Sequence, residues 1–320
     1  MQHHAQCAAV LTAALLAGTV AGAQDFPVKT VRIIAAEPGG ANDLATRLIA
    51  QGLTARFGQQ VIVENRGGAG GAFAAEIVAR APPDGHTLLF YGAALWLQPF
   101  LRENVPWDPL RDFTPVTLVI SAPAILVTHP SLPVKTPRDL IALAKQRPGA
   151  VDYGSGGAGT VPHLAAELFN ALAGTRTVRI PYRGAGPAVL ALIAGQVHIM
   201  FATAGTVAPH IRAGTVRALA VTSARRSALV PELPPLGESL PGYELTALWG
   251  MFAPAKLPAS LLTRLNQDIG QVLRQAETRE RFASAGVEAA GSTPQEFAAA
   301  LKSDMNRLGK LIKDAGIRAD

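Results

Sequence analysis

Apolar residues recur along this chain with two alternating periods. Short runs at 31–35, 61–63, 87–91, 124–128, 197–201 and 216–222 read as buried strands, and the stretches between several of them carry apolar positions at helical spacing. One helix is expected over 43–57, closed by Gly58. Another is expected over 73–81, ending in Pro82-Pro83-Asp84-Gly85, residues that favour a tight turn. A third starts at Thr136-Pro137-Arg138-Asp139, with Thr136 as N-cap and Pro137 at the first helical position. Such alternation predicts βαβ units and therefore an α/β fold of mixed, mostly parallel sheets flanked by helices. The C-terminal part reads as helical. Leu261, Leu262, Leu265, Ile269, Val272 and Leu273 form one apolar stripe. Phe297, Leu301, Met305, Leu308 and Ile312 form a second, opened by a capping box at Thr293-Pro294-Gln295-Glu296.

Two proline-marked stretches, 113–123 and 241–254, interrupt this pattern and read as connections between domains. The roughly 297 residues after position 23 exceed the size at which a single core usually stops growing. Two lobes are expected, one discontinuous over 24–123 and 249–320 and the other over 124–248.

The N-terminus sets an expected compartment. Residues 8–20 form an apolar run of about 13 residues, shorter than the ~20 that span a bilayer, followed by Ala21-Gly22-Ala23. This reads as a signal peptide over 1–23, cleaved near Ala23, and implies export to the periplasm. Its leading segment has His3 and His4 but no Lys or Arg. Cys7 is the only cysteine, so the exported part has neither a disulfide framework nor a thiolate metal site. The net charge of +6 is scattered rather than gathered into runs interleaved with aromatics, which argues against nucleic acid. His86, His129, His198 and His210 fit no metal-binding spacing, and no cofactor is expected.

Three strand–glycine–helix units carry the candidate chemistry. They contain Pro38-Gly39-Gly40, Gly154-Ser155-Gly156-Gly157 and Gly184-Ala185-Gly186. Glycines let backbone approach a ligand closely, and the first amides of a helix have no intrahelical partner, so each unit is suited to an anion. Asn42 or Asp43 is expected to cap the first helix. Glu37 beside that turn would repel a bare anion but could hold an ammonium or hydroxyl. Gly67-Gly68-Ala69-Gly70-Gly71 lacks the spacing and the later acid of a dinucleotide site, and there is no P-loop. Ser155 fails the nucleophile-elbow pattern because Tyr153 stands where a glycine is required. Ser155, Gly159 and Thr160 read instead as donors at a helix start, with His163 either a capping or surface residue or a ligand contact. Donor-rich loops without a catalytic constellation point to capture rather than conversion.

The segments EPGGANDLATRL, VENRGGAGG, PDGHTLL, YGSGGAGT-x-x-H, PYRGAGPA and GQVHIMFATAGTVAPHIRAGTVRALAVTSARR resemble, in order and spacing, the Bug family of tripartite tricarboxylate transporter substrate-binding proteins. The resemblance implies an exported two-lobe "Venus flytrap" that is not an enzyme. It would hold a small organic carboxylate or amino-acid-like ligand and pass it to membrane transporter subunits. It implies that the turn Gly39, Gly40, Ala41, Asn42 and Asp43 meets carboxylate oxygens and that the loop with Ser155, Gly159 and Thr160 approaches from the other lobe. Glu37, Pro38, Tyr91, His163, Arg183, Gly184, Ala202 and Thr203 complete the expected ligand-binding set. The chain departs from the family at Ala35-Ala36, where a Pro-aromatic pair is common, and at Ala202, where Asp is common. An exported α/β hydrolase using Ser155, and a ligand-sensing module for a membrane signalling partner, are the alternatives.

Overall fold

The computed structural model describes residues 26–36, 40–67, 72–156, 159–182 and 184–318. The expected signal peptide lies outside them. Among the described residues, no helix is long and apolar enough to cross a membrane.

The first sheet is built around β1 (Val31–Ala35), which pairs in parallel with β2 (Val61–Asn65) and β3 (Thr87–Gly92). Helices α1 (Gly40–Phe57) and α2 (Ala72–Ala79) make the crossovers, and α3 (Ala94–Leu101) follows β3. The chain then enters β4 (Phe113–Thr128), a strand of 16 residues. Next come α4 (Pro137–Gln146), β5 (Asp152–Ser155), α5 (Val161–Ala173), β6 (Val178–Pro181) and α6 (Ala185–Ile193). β7 (Ile199–Thr203), α7 (Ala204–Arg212) and β8 (Arg217–Val221) complete the second sheet. The return strand β9 (Thr246–Pro254) leads to α8 (Ala259–Arg274), α9 (Ala276–Ser284), β10 (Glu288–Ala289) and α10 (Pro294–Asp314).

The two stretches expected as connections between domains are largely strand, 113–123 within β4 and 246–254 as β9. Residues 113–123 of β4 pair antiparallel with β9, from Phe113 opposite Pro254 to Pro123 opposite Thr246. Proline cannot donate to a ladder. The register shift between Pro115 and Thr117 accommodates Pro115, and Pro115, Pro123 and Pro254 all sit inside the sheet. The far end of β4, from Ala124, changes partners to β7 and β8. One strand thus belongs to both sheets, and the strand order is β2-β1-β3-β9-β4-β7-β5-β6. Thr222 fastens the changeover. Its hydroxyl accepts from the Ala124 amide at 2.8 Å, and its carbonyl accepts from the Leu245 amide at 2.8 Å.

Local signals place the helix ends. Thr136 and Asp139 form a reciprocal capping box on α4, and Thr293 and Glu296 form another on α10. Both C-terminal stripes turn inward. Leu265, Ile269 and Val272 of α8 pack under the first sheet with Ile49 and Leu53 of α1. Phe297, Leu301, Leu308 and Ile312 of α10 join Trp96 and Phe252 in a cluster that extends to Phe169 and Phe201 below the second sheet. The short helices α3 and α7 carry no such local signal. Pro99 and Pro209 lie inside them, and isolated helices this short are marginal without tertiary packing.

Candidate functional site

The first wall of the site forms where β1 runs out. Ala36 follows the strand, and α1 begins at Gly40, so the helix N-terminus faces the space beyond the carboxyl ends of β1 and β3. Asn42 and Asp43 lie within the first turn of α1 rather than capping it. Asn42 is exposed, whereas Asp43 is buried, and its carboxylate accepts from Arg47 Nε at 2.9 Å and Asn65 Nδ2 at 3.0 Å. Asp43 therefore ties the first turn to the end of β2. Glu37, Pro38 and Gly39 lie outside the described residues.

The opposite wall is the start of α5. Thr160 is its N-cap residue with an extended backbone, and Gly159 before it has φ +73°. The Gly159 amide donates to His163 Nδ1 at 3.1 Å. His163 is buried, and that burial, with the nearby Arg179 charge second, pulls its pKa down to about 4. The ring is then neutral at ordinary pH, with Nδ1 accepting and the ring hydrogen on Nε2. Arg179 of β6 donates from Nε to Ser155 Oγ at 2.8 Å and from a terminal nitrogen to the Gly156 carbonyl at 2.6 Å. Tyr153 donates its hydroxyl hydrogen to Glu167 at 2.5 Å, and burial together with that carboxylate raises the phenol well above its ordinary range. These buried links hold the loop before α5 from behind.

The unfolded chain binds a proton at His163 near pH 6.5, while the folded chain resists it down to about 4. Stability is expected to fall as pH drops through that window, by at most roughly 3 kcal/mol. The melting temperature followed against pH checks this, with His163→Gln flattening the slope.

A cavity of about 480 Å³ lies between the two walls. Asn42, Asp43, Tyr91, Gly159 and Thr160 line it, so the structure brings together candidates from the α1 side and the α5 side. Other candidates sit elsewhere. Ser155 is fully buried behind the wall, its oxygen accepting from Arg179 and its hydrogen directed to the Gly156 carbonyl. Among the described residues no hydrogen bond joins it to His163, so the serine is not presented as a nucleophile. Ala41 packs against the core beneath the first sheet. Ala202 is buried in the core between the second sheet and α6 and α7, and the Thr203 hydroxyl pairs with that of Thr206 at 2.8 Å. Gly184, at φ +110°, precedes α6, and the space a Cβ there would take is open. Arg183 lies outside the described residues. No group of three His, Cys, Asp or Glu that could hold a metal ion occurs among the described residues.

The lining also contains residues the sequence reading missed. Gln98 and Arg102 come from α3 and its end, Trp249 from β9, and Asp304 and Leu308 from α10. Asp304 had a legible signal, because it follows Leu301 by three positions and precedes Leu308 by four, an acid on an apolar helix face. It is buried, and burial raises its carboxyl pKa against the pull of Arg307, whose guanidinium lies 3.6 Å away.

The sequence matches the family model described as "Tripartite tricarboxylate transporter family receptor" over residues 45–317. The protein BugT of Bordetella pertussis is 32% identical over 300 residues, covering 92% of this chain and 92% of that one. A Rhodopseudomonas palustris protein, Rpa4515 with adipate, superposes with a TM-score of 0.76 at 33% identity, covering 92% of this chain and 99% of that chain. MatC from the same organism, with bound malate, superposes with a TM-score of 0.71 at 31% identity, covering 90% and 100%. With its α/β architecture and a cavity walled by the first sheet on one side and the start of α5 on the other, this chain belongs to the Bug, or tripartite tricarboxylate transporter receptor, family of periplasmic solute-binding proteins.

Proposed function

We propose that the cavity between the two sheets takes one small carboxylate or zwitterionic metabolite for delivery to the membrane subunits of a tripartite tricarboxylate-type transporter, without chemical conversion. The observation that carries this reading is the two-sided lining, with Asn42 and Asp43 in the first turn of α1 facing Gly159 and Thr160 at the start of α5. Helix N-termini approaching one space from two sides favour an anion, since each brings amides with no intrahelical partner and a positive dipole end. Adipate and malate in the two related structures support a carboxylate. In this reading residues 24–123 with 249–320 form one lobe and 124–248 the other. β4 and β9 carry the bending that closes them, because these paired strands pass between the two sheets.

Titration calorimetry across carboxylates, amino acids and aromatic acids, paired with solution scattering, tests this. A ligand is expected to bind and to reduce the radius of gyration at saturation, and at about 100 times its Kd to add about 2.7 kcal/mol of stability. Binding with an unchanged scattering profile would remove the closure, and no binding across the panel would remove the carboxylate reading.

A further inference from the structure

The cavity is walled chiefly by hydrocarbon. Leu97 and Leu101 of α3, Leu164 of α5, Leu248 and Trp249 of β9 and Leu308 of α10 all face it. The indole of Trp249 lies close over Gly92, where an added Cβ would come within 2.5 Å of Nε1. A short, fully hydrated diacid cannot cover such walls, and water left against them forfeits the apolar burial that drives association.

The charges of the lining limit the ligand's charge. Among the described lining residues the charged ones are Arg102, Asp43 and Asp304. Two acids face the same space. Asp43 is already bonded to Arg47 and Asn65. Asp304 is buried on α10, 3.6 Å from Arg307, whose other terminal nitrogen is bonded to the Glu244 carbonyl. A second ligand carboxylate carried toward α10 meets a buried acid and must repel it or force it to take up a proton.

Building on the carboxylate reading above, we infer that the ligand is a monocarboxylate with a bulky apolar body, an aromatic ring or a branched chain, and that Asp304 excludes a second carboxylate at the far end. The anionic end meets the helix termini, the body fills the leucine and tryptophan surface, and the far end carries no charge or a hydrogen-bond donor. Asp304 acts here as a specificity-determining residue.

The test compares phenylacetate and 4-hydroxyphenylacetate with malate and adipate by calorimetry, on the wild type, Asp304→Asn and Trp249→Ala. The ring-bearing monocarboxylates are expected to bind at least about tenfold more tightly than either diacid. Asp304→Asn, nearly isosteric, is expected to improve diacid affinity by about tenfold or more and to leave phenylacetate within about threefold. Trp249→Ala is expected to weaken the ring-bearing ligands by about tenfold or more. Circular dichroism melts establish that both variants are folded. Tighter binding of malate or adipate than of phenylacetate to the wild type, or diacid affinity unmoved in Asp304→Asn, overturns this inference and leaves the carboxylate reading intact. Failure of all four acids to bind the wild type overturns this inference, and failure across the wider panel above also overturns the carboxylate reading.

Discussion

Gly159→Val is expected to lower ligand affinity by more than about a hundredfold while the protein remains folded. Gly159 has φ +73°, a conformation that a β-branched residue adopts only under strain, at a cost of about 1–3 kcal/mol. There is also no room for the side chain, since a Cβ there would sit 2.4 Å from Leu101 Cδ1. Either the loop moves, pulling the Gly159 amide off His163, or Leu101 moves into the cavity it lines. Both outcomes disturb the wall formed by Gly159 and Thr160. Gly174→Ala is the control. Gly174 ends α5 at φ +63° with nothing within 4 Å of where a Cβ would sit, so the substitution adds backbone strain alone and should cost about 1 kcal/mol of stability with unchanged affinity. Calorimetry on both variants decides the matter, and wild-type affinity in Gly159→Val would show that the α5 start is not part of the binding wall.

Phe297→Ala is expected to cost about 3–5 kcal/mol of folding stability, a large share of the ~5–15 kcal/mol typical of a native protein. Phe297 is fully buried, its ring centroid 4.8 Å from that of Phe252 and 6.3 Å from that of Trp96. Its ring occupies the space above Gly250, where an added Cβ would come within 2.2 Å. The contact is therefore interlocked, and truncation leaves a cavity that strand β9 cannot relax to fill. Phe297 also anchors the first turns of α10, the helix that carries Asp304 and Leu308 to the site. Urea unfolding should show a lower midpoint with little change in slope. A loss below about 1 kcal/mol would mean that α10 is held mainly by its later turns.

The candidate site was only partly legible in the sequence. The strand–glycine–helix units announced the starts of α1 and α5, because glycines and helix caps act within a few residues of where they stand. Asn42, Asp43, Gly159 and Thr160 reach the cavity accordingly. Ser155 looked like an exposed donor because serine in a glycine-rich loop usually is one. Only the pairing of β5 with β6 brings Arg179 beside it, 24 residues away, to claim its oxygen. Similarly, nothing local to residues 246–254 reveals that they form the strand between β3 and β4, or that Trp249 stands in the cavity wall.

What the sequence alone determined is therefore what has short range: alternation of strand and helix, the capping boxes at Thr136 and Thr293, the inward stripes of α8 and α10, and family membership through motifs kept in order. Tertiary structure alone decided that β4 serves both sheets, that Ala202 is core, and that Arg102, Trp249 and Asp304 share one cavity with Gly159. The division has a physical cause. Periods of 2 and 3.6 residues and the chemistry of caps are written in neighbouring positions. Which apolar face meets which, and which charge ends beside which, depends on strand register and helix packing between residues as distant as Asn42 and Asp304.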